Sequence, residues 1–130
     1  MNLAIPYLMF SGNCHEALQF YESCLDGKIT SLRTVAEAPF DVPKGMEDRI
    51  FDSEFKAGSV HFKASDDMPG NEVTVGSNFA LFIGSPDADE RQRVFEKLSE
   101  NGNVTFPLDN NFGMVTDKFN IQWMIARTDA

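Results

Sequence analysis

Between residues 13 and 27 the apolar positions return at a helical interval. Ala17, Leu18, Tyr21, Cys24 and Leu25 stand at i, i+1, i+4, i+7 and i+8, one stripe of a helix. Asn13 with Glu16 three residues later supplies a capping-box-like start. Gly27 stands where a helix C-terminus favours glycine. The preceding apolar run, residues 3–10 (LAIPYLMF), predicts a strand. Pro6 within it cannot donate to a ladder, so the strand should lie at an edge or carry a bulge. Further strand-like runs fall near 28–36, 49–56 and 59–65, and Ala57-Gly58 is the expected hairpin link between the last two. Segment 37–48 carries Pro39, Pro43, Gly45 and five charges, the composition of a loop or lid.

The plan then repeats. Residues 78–83 (NFALFI) predict a strand broken by Ser85-Pro86, and Asp87 with Glu90 repeats the cap pairing. Val94, Phe95 and Leu98 mark the buried face of a helix ending at Asn101-Gly102, followed by strands near 103–108, 112–117 and 121–127. Segments 11–27 and 85–102 can be superimposed with Glu16 on Glu90 and Tyr21 on Phe95, offset by 74 residues at the start and 75 at the terminal glycine. Such a repeat predicts an α+β protein of two βαβββ modules, about 1–70 and about 71–130, within a single domain. Three strands after each helix argue against a ferredoxin-like unit.

Composition narrows the partners. The net charge of −9 comes without any run of Lys or Arg, which argues against nucleic acid and against an anionic membrane surface. The excess charge serves solubility first; if it steers a ligand, it favours a cation. No stretch approaches the ~20 apolar residues of a membrane span, and the first residues lack the basic region of a signal peptide. Cys14 and Cys24, the two cysteines, sit ten residues apart on one predicted helix, too distant to bridge. A reduced, cytoplasmic protein is expected.

Three stretches carry a family resemblance: PYLMFSGNCHEALQFYESCLDG at 6–27, ASDDMPG at 64–70 and GMVTDKFNIQWMIAR at 113–127. Together they resemble the PhnB-like proteins of the vicinal oxygen chelate superfamily, which also holds glyoxalase I, bleomycin-resistance proteins and extradiol dioxygenases. The resemblance implies that the two modules form a half-open, cup-shaped mixed sheet with helices on the outside, and that two copies pair as a homodimer. It does not deliver an activity, because the superfamily spans metal-dependent isomerases, thiol transferases, dioxygenases and metal-free drug binders. Some PhnB-like proteins carry a methyltransferase label, yet no glycine-rich nucleotide turn follows a strand here.

Metal-using members of the superfamily place His, Glu or Gln on the first, fourth, fifth and eighth strands. By resemblance those positions fall at Pro6 or Tyr7, in SVHFKAS, at Asn78 and at Met124. A divalent ion wants imidazole nitrogen or carboxylate oxygen, and three of the four positions offer neither. On the fourth strand His61 and Lys63 alternate with Val60, Phe62 and Ala64, which turns His61 and Lys63 away from the core. A third-strand histidine of many relatives falls at Asp52. His61 with Asp52 or Glu54 is too small a set for a structural or catalytic ion, so no metal and no cofactor are expected.

Cys14, in the first turn of its helix, reads as an ordinary small residue rather than a nucleophile, His15 as a solvated neighbour and Cys24 as core. Asp66-Asp67 before Pro69-Gly70 reads as turn chemistry rather than a catalytic carboxylate pair. Gly113 is too weak a signal for a phosphate loop, and Trp123 between Ile121 and Ile125 reads as core. The expected ligand-binding residues are Tyr7, His61, Lys63, Asn78, Phe112, Met114, Gln122 and Met124. The expected guest is a small organic molecule, with aromatic content and acidic charge suiting a cationic aromatic one. The rival reading is a lyase or isomerase acting on a small oxygenated substrate, with His61 as general base oriented by Asp52 or Glu54, or with a metal. A purely structural module would instead have a filled cup.

Overall fold

A computed structural model describes residues 1–129 and divides the chain into two compact units, Met1–Thr74 and the residues from Val75 onward. The first contains β1 (Tyr7–Phe10), α1 (Cys14–Leu25), β2 (Lys28–Thr34), a 3-10 turn (Val35–Glu37), β3 (Ile50–Ala57) and β4 (Val60–Asp66). The second contains β5 (Leu81–Ser85), α2 (Ala88–Ser99), β6 (Asn103–Phe106), β7 (Phe112–Thr116) and β8 (Gln122–Arg127). Each unit is one βαβββ module with a four-stranded mixed sheet, ordered β1-β4-β3-β2 in the first and β5-β8-β7-β6 in the second. The repeat seen in the helices therefore extends to strand order. In both sheets the opening strand lies parallel to the last one, and the other pairs are antiparallel.

β1 is an edge strand, as Pro6 requires. The strand starts just after the proline, whose carbonyl accepts the Lys63 N–H at 3.0 Å. Helix α1 buries Ala17, Leu18, Tyr21 and Cys24 against β2, β3 and β4. The Tyr21 ring meets Phe55 and Phe62 edge-on at 6.5 and 5.9 Å, and those two rings stack at 4.9 Å. Each contributes about 2–3 kcal/mol by leaving water. In the second module Val94, Phe95 and Leu98 of α2 pack with Val115, Trp123 and Ile125. Trp123 is core, fully buried, and its indole N–H donates to Asp117 at 2.8 Å.

Several local expectations need correction. Asn13 occupies the N-cap of α1 but its side chain caps nothing; Asp66, distant in sequence, takes the helix N–H instead. At the other end the left-handed residue is Asp26 (φ 51°), and Gly27 is needed for space: a Cβ there would stand 2.5 Å from the Phe55 ring. Ala57 pairs with Val60, so the hairpin turn is Gly58-Ser59, shifted by one residue. The fifth strand begins at Leu81 rather than Asn78. The expected cap of α2 is present, with Asp87 accepting the N–H groups of Asp89 and Glu90. Gly113 lies within β7, where a Cβ would stand 2.8 Å from the Phe95 ring, which makes it a packing glycine.

Candidate functional site: an aromatic pocket beside two committed aspartates

β1 and β4 alternate sides. Leu8, Phe10, Phe62 and Ala64 enter the core, which leaves Tyr7, Met9, His61, Lys63 and Ser65 on the face opposite α1. Segment 37–49 and the turn after β4 rise beside that face. They flank a half-open cavity of about 320 Å3 walled by Tyr7, Met9, Phe40, Phe51 and Met68, with Ser65, Asp66, Asp67 and Asn71 as its polar groups. Phe40 belongs to the segment whose composition predicts a loop or lid, and it meets the Phe51 ring edge-on at 5.6 Å. The Arg33 guanidinium lies 5.0 Å from the Phe51 centroid.

Asp66 and Asp67 are neither a turn pair nor free carboxylates, because the strand end carries them inside the module. Asp66 Oδ1 accepts the N–H groups of Gly12 and Cys14 at 2.9 Å, and its Oδ2 accepts the Ile50 N–H at 2.8 Å. One carboxylate thus ties the start of α1 and the start of β3 to the end of β4. Asp67 accepts from the Ser11 hydroxyl at 2.8 Å and the Val73 N–H at 3.0 Å, and pairs with Arg49. Burial alone would push the Asp67 carboxyl up, but the Val73 N–H, the Ser11 hydroxyl and the Arg49 guanidinium together hold it below its usual range.

Farther along the sheet, charged residues form a ladder. His61 Nε2 lies 2.8 Å from Glu54 Oε2, and the Thr30 hydroxyl donates to the same carboxylate at 3.1 Å. Hydrogen bonding to His61, then to Thr30, lowers the Glu54 pKa. Lys63 Nζ stands 3.0 Å from Asp52, which also meets Arg33 at 3.5 Å. His61 and Lys63 do face away from the core, but they lie outside the cavity wall and are engaged with Glu54 and Asp52. Among the described residues no three His, Cys, Asp or Glu side chains converge as ion ligands.

The remaining expected residues lie in the second module. Asn78 is exposed in the segment before β5. Met114 and Met124 are directly opposite each other, with Phe82 and Phe106 completing a row across all four strands. Phe112 joins it, its ring 6.1 Å from that of Phe106. Phe82 and Phe106 are more than half exposed. Gln122 is held by donating its amide to the Phe79 carbonyl at 2.6 Å. Of the eight expected residues, only Tyr7 walls the first-module cavity. Met9, Phe40, Phe51, Ser65, Met68 and Asn71 line it as well and are not among the expected residues. Strand alternation from Tyr7 would have found Met9, and from His61 would have found Ser65; Phe40 lies in irregular chain, where no periodicity points.

Cys14 is fully buried, and burial, then the Asp66 charge, pushes its thiol up to about 12, against any nucleophilic role. No helix among the described residues is long and apolar enough to cross a membrane.

The fold is of the glyoxalase or vicinal oxygen chelate type: the fosfomycin resistance protein FosX of Mesorhizobium loti shares it at 13% identity, over 97% of this chain and 92% of that one, with a TM-score of 0.64. Within that class the chain belongs to the PhnB-like family described as 3-demethylubiquinone-9 3-methyltransferase, which matches residues 2–126. Protein YjdN of Escherichia coli K12 is 30% identical, over 92% of this chain and 91% of its own length. The crystal structure of PA1353 from Pseudomonas aeruginosa covers all of both chains at 29% identity, with a TM-score of 0.88. A PhnB protein from Bacillus cereus matches at 24% identity over 98% of this chain and 100% of that one, with a TM-score of 0.76.

Proposed function

We propose that this protein binds a small organic molecule without a catalytic metal, and that the first-module cavity is a site for it. The supporting observation is the cavity itself: about 320 Å3, walled by aromatic rings and thioethers with a few polar groups at one side. That is the small end of the range for ligand pockets, and the mixture of an apolar body with sparse polar points is their usual lining. In the mapping that the resemblance implies, the first- and eighth-strand ligand positions fall at Pro6 or Tyr7 and at Met124, which offer neither imidazole nor carboxylate, and the imidazole of His61 is engaged with Glu54. The apolar row Phe82, Met124, Met114 and Phe106 offers a second contact surface, and pairing of two copies belongs to the same proposal. The two modules are taken to work as one domain.

The methyl transfer named in the family's description is not part of this reading. The strand-to-helix turns are Ser11-Gly12-Asn13 and Pro86-Asp87, and neither is the multi-glycine turn that cradles a nucleotide.

Thermal-shift measurements with a panel of one- and two-ring compounds test the proposal. A guest should raise Tm equally with EDTA or with added Mn2+ or Zn2+, and Phe40→Ala should remove the shift. A shift that appears only with the ion would overturn the metal-free reading. The rival enzyme reading draws on the His61–Glu54 pair, which matches a base with its orienting carboxylate. It requires His61→Ala to abolish turnover of an oxygenated substrate while fold and binding persist.

A further inference from the structure

The cavity's two carboxylates decide what kind of guest it suits. An acidic chain suggests a cation, but each aspartate already accepts three donors. Asp67 is matched by Arg49, and Asp66 lies against the N-terminal N–H groups of α1, the positive end of the helix. Arg33, whose guanidinium lies 5.0 Å from the Phe51 centroid, shares Asp52 with Lys63. Both wall carboxylates are therefore already engaged within the chain. A charged guest of either sign would lose its hydration without finding an unengaged charge of opposite sign on the wall itself.

The uncommitted polar groups of the lining itself are neutral. Among the described residues, the Tyr7 and Ser65 hydroxyls and the Asn71 side-chain amide have no hydrogen-bond partner within the chain. They offer donors and acceptors beside the Tyr7 and Phe40 rings, which are both partly exposed. Ser65 is fixed by the β1–β4 pairing opposite Met9, so its hydroxyl stands beside the apolar wall rather than on a mobile loop.

We infer that the first-module cavity selects a neutral, one- or two-ring aromatic bearing a single hydroxyl or amide-like group, with the ring against Phe40 and Tyr7 and the polar group on Ser65 or Asn71. The inference rests on the binding reading above and adds to it the charge and class of the guest.

Four probes of nearly the same shape test it by calorimetry at pH 7: 2-naphthol, 2-methylnaphthalene, the cation of 2-naphthylmethylamine, and 2-naphthoate. The expected result is that 2-naphthol binds at least about ten-fold tighter than either ion. The double variant Ser65→Ala, Asn71→Ala should weaken 2-naphthol about five-fold or more and leave 2-methylnaphthalene unchanged. Phe40→Ala should weaken both neutral probes. Binding of either ion as tight as that of 2-naphthol would overturn the neutral-guest inference while leaving the binding reading intact. Equal loss of both neutral probes in the double variant would overturn the assignment of the polar contact. Failure of all four probes to bind, or binding insensitive to Phe40→Ala, would overturn both the inference and the cavity as a site.

Discussion

Replacing Asp66 by Asn changes one atom's chemistry and leaves shape almost untouched. Asp66 is 6% exposed and accepts three backbone N–H groups, two on Oδ1 and one on Oδ2. An amide has one acceptor oxygen. In its better orientation the substituted side chain would keep Gly12 and Cys14 and turn an NH2 toward the Ile50 N–H, donor against donor. The loss is one charge-assisted hydrogen bond, worth about 1.5–3 kcal/mol, and the two retained bonds weaken as the acceptor loses its charge. Asp66→Asn should therefore cost about 3 kcal/mol, or about 10 °C in Tm for a chain of this size. Urea unfolding followed by circular dichroism reads the cost, with Asp87→Asn as the control. Asp87 caps α2 from an exposed position, so its replacement should cost about 1 kcal/mol or less. A cost below about 1 kcal/mol for Asp66→Asn would refute the claim that this carboxylate holds α1 and β3 to the end of β4.

Gly27→Ala should destabilise the first module by about 2 kcal/mol, since its Cβ would meet the Phe55 ring at 2.5 Å and the Ala57 Cβ at 2.8 Å; thermal melts will show it. Asp117→Ala leaves the Trp123 indole N–H and the backbone N–H groups of Phe119 and Ile121 without their acceptor, so about 2–3 kcal/mol should be lost. Trp123 is the sole tryptophan, and its fluorescence reports that unfolding directly. The depressed Asp67 carboxyl contributes stability above its unfolded value, near 3.8, that is lost as pH falls through the lower folded value. Asp67→Asn should consequently flatten the acid limb of a stability–pH curve, and an unchanged limb would refute that origin. Neither Cys14 nor Cys24 should react with a thiol reagent in the native protein, while both should react in denaturant.

The elements were legible in the sequence because each reports its own local burial. The stripe from Ala17 to Leu25 and its counterpart Val94, Phe95 and Leu98 recur at the helical period whatever lies opposite them. Pro6 announced an edge strand for the same local reason, and strand alternation put His61 and Lys63 on the outer face. The repeat of the two helix segments was enough to predict two βαβββ modules.

What only tertiary structure decided was which distant groups meet. The α1 cap went to Asp66 rather than Asn13 because β4 inserts beside β1 and delivers a carboxylate 52 residues away to the helix start. The same insertion turned Asp66-Asp67 from apparent turn residues into buried tethers, and it set Met9 beside Ser65 in the cavity wall. Periodicity along the chain encodes which face of an element is buried. It carries no record of the neighbour across the sheet, because strand order is settled by the packing of the whole module.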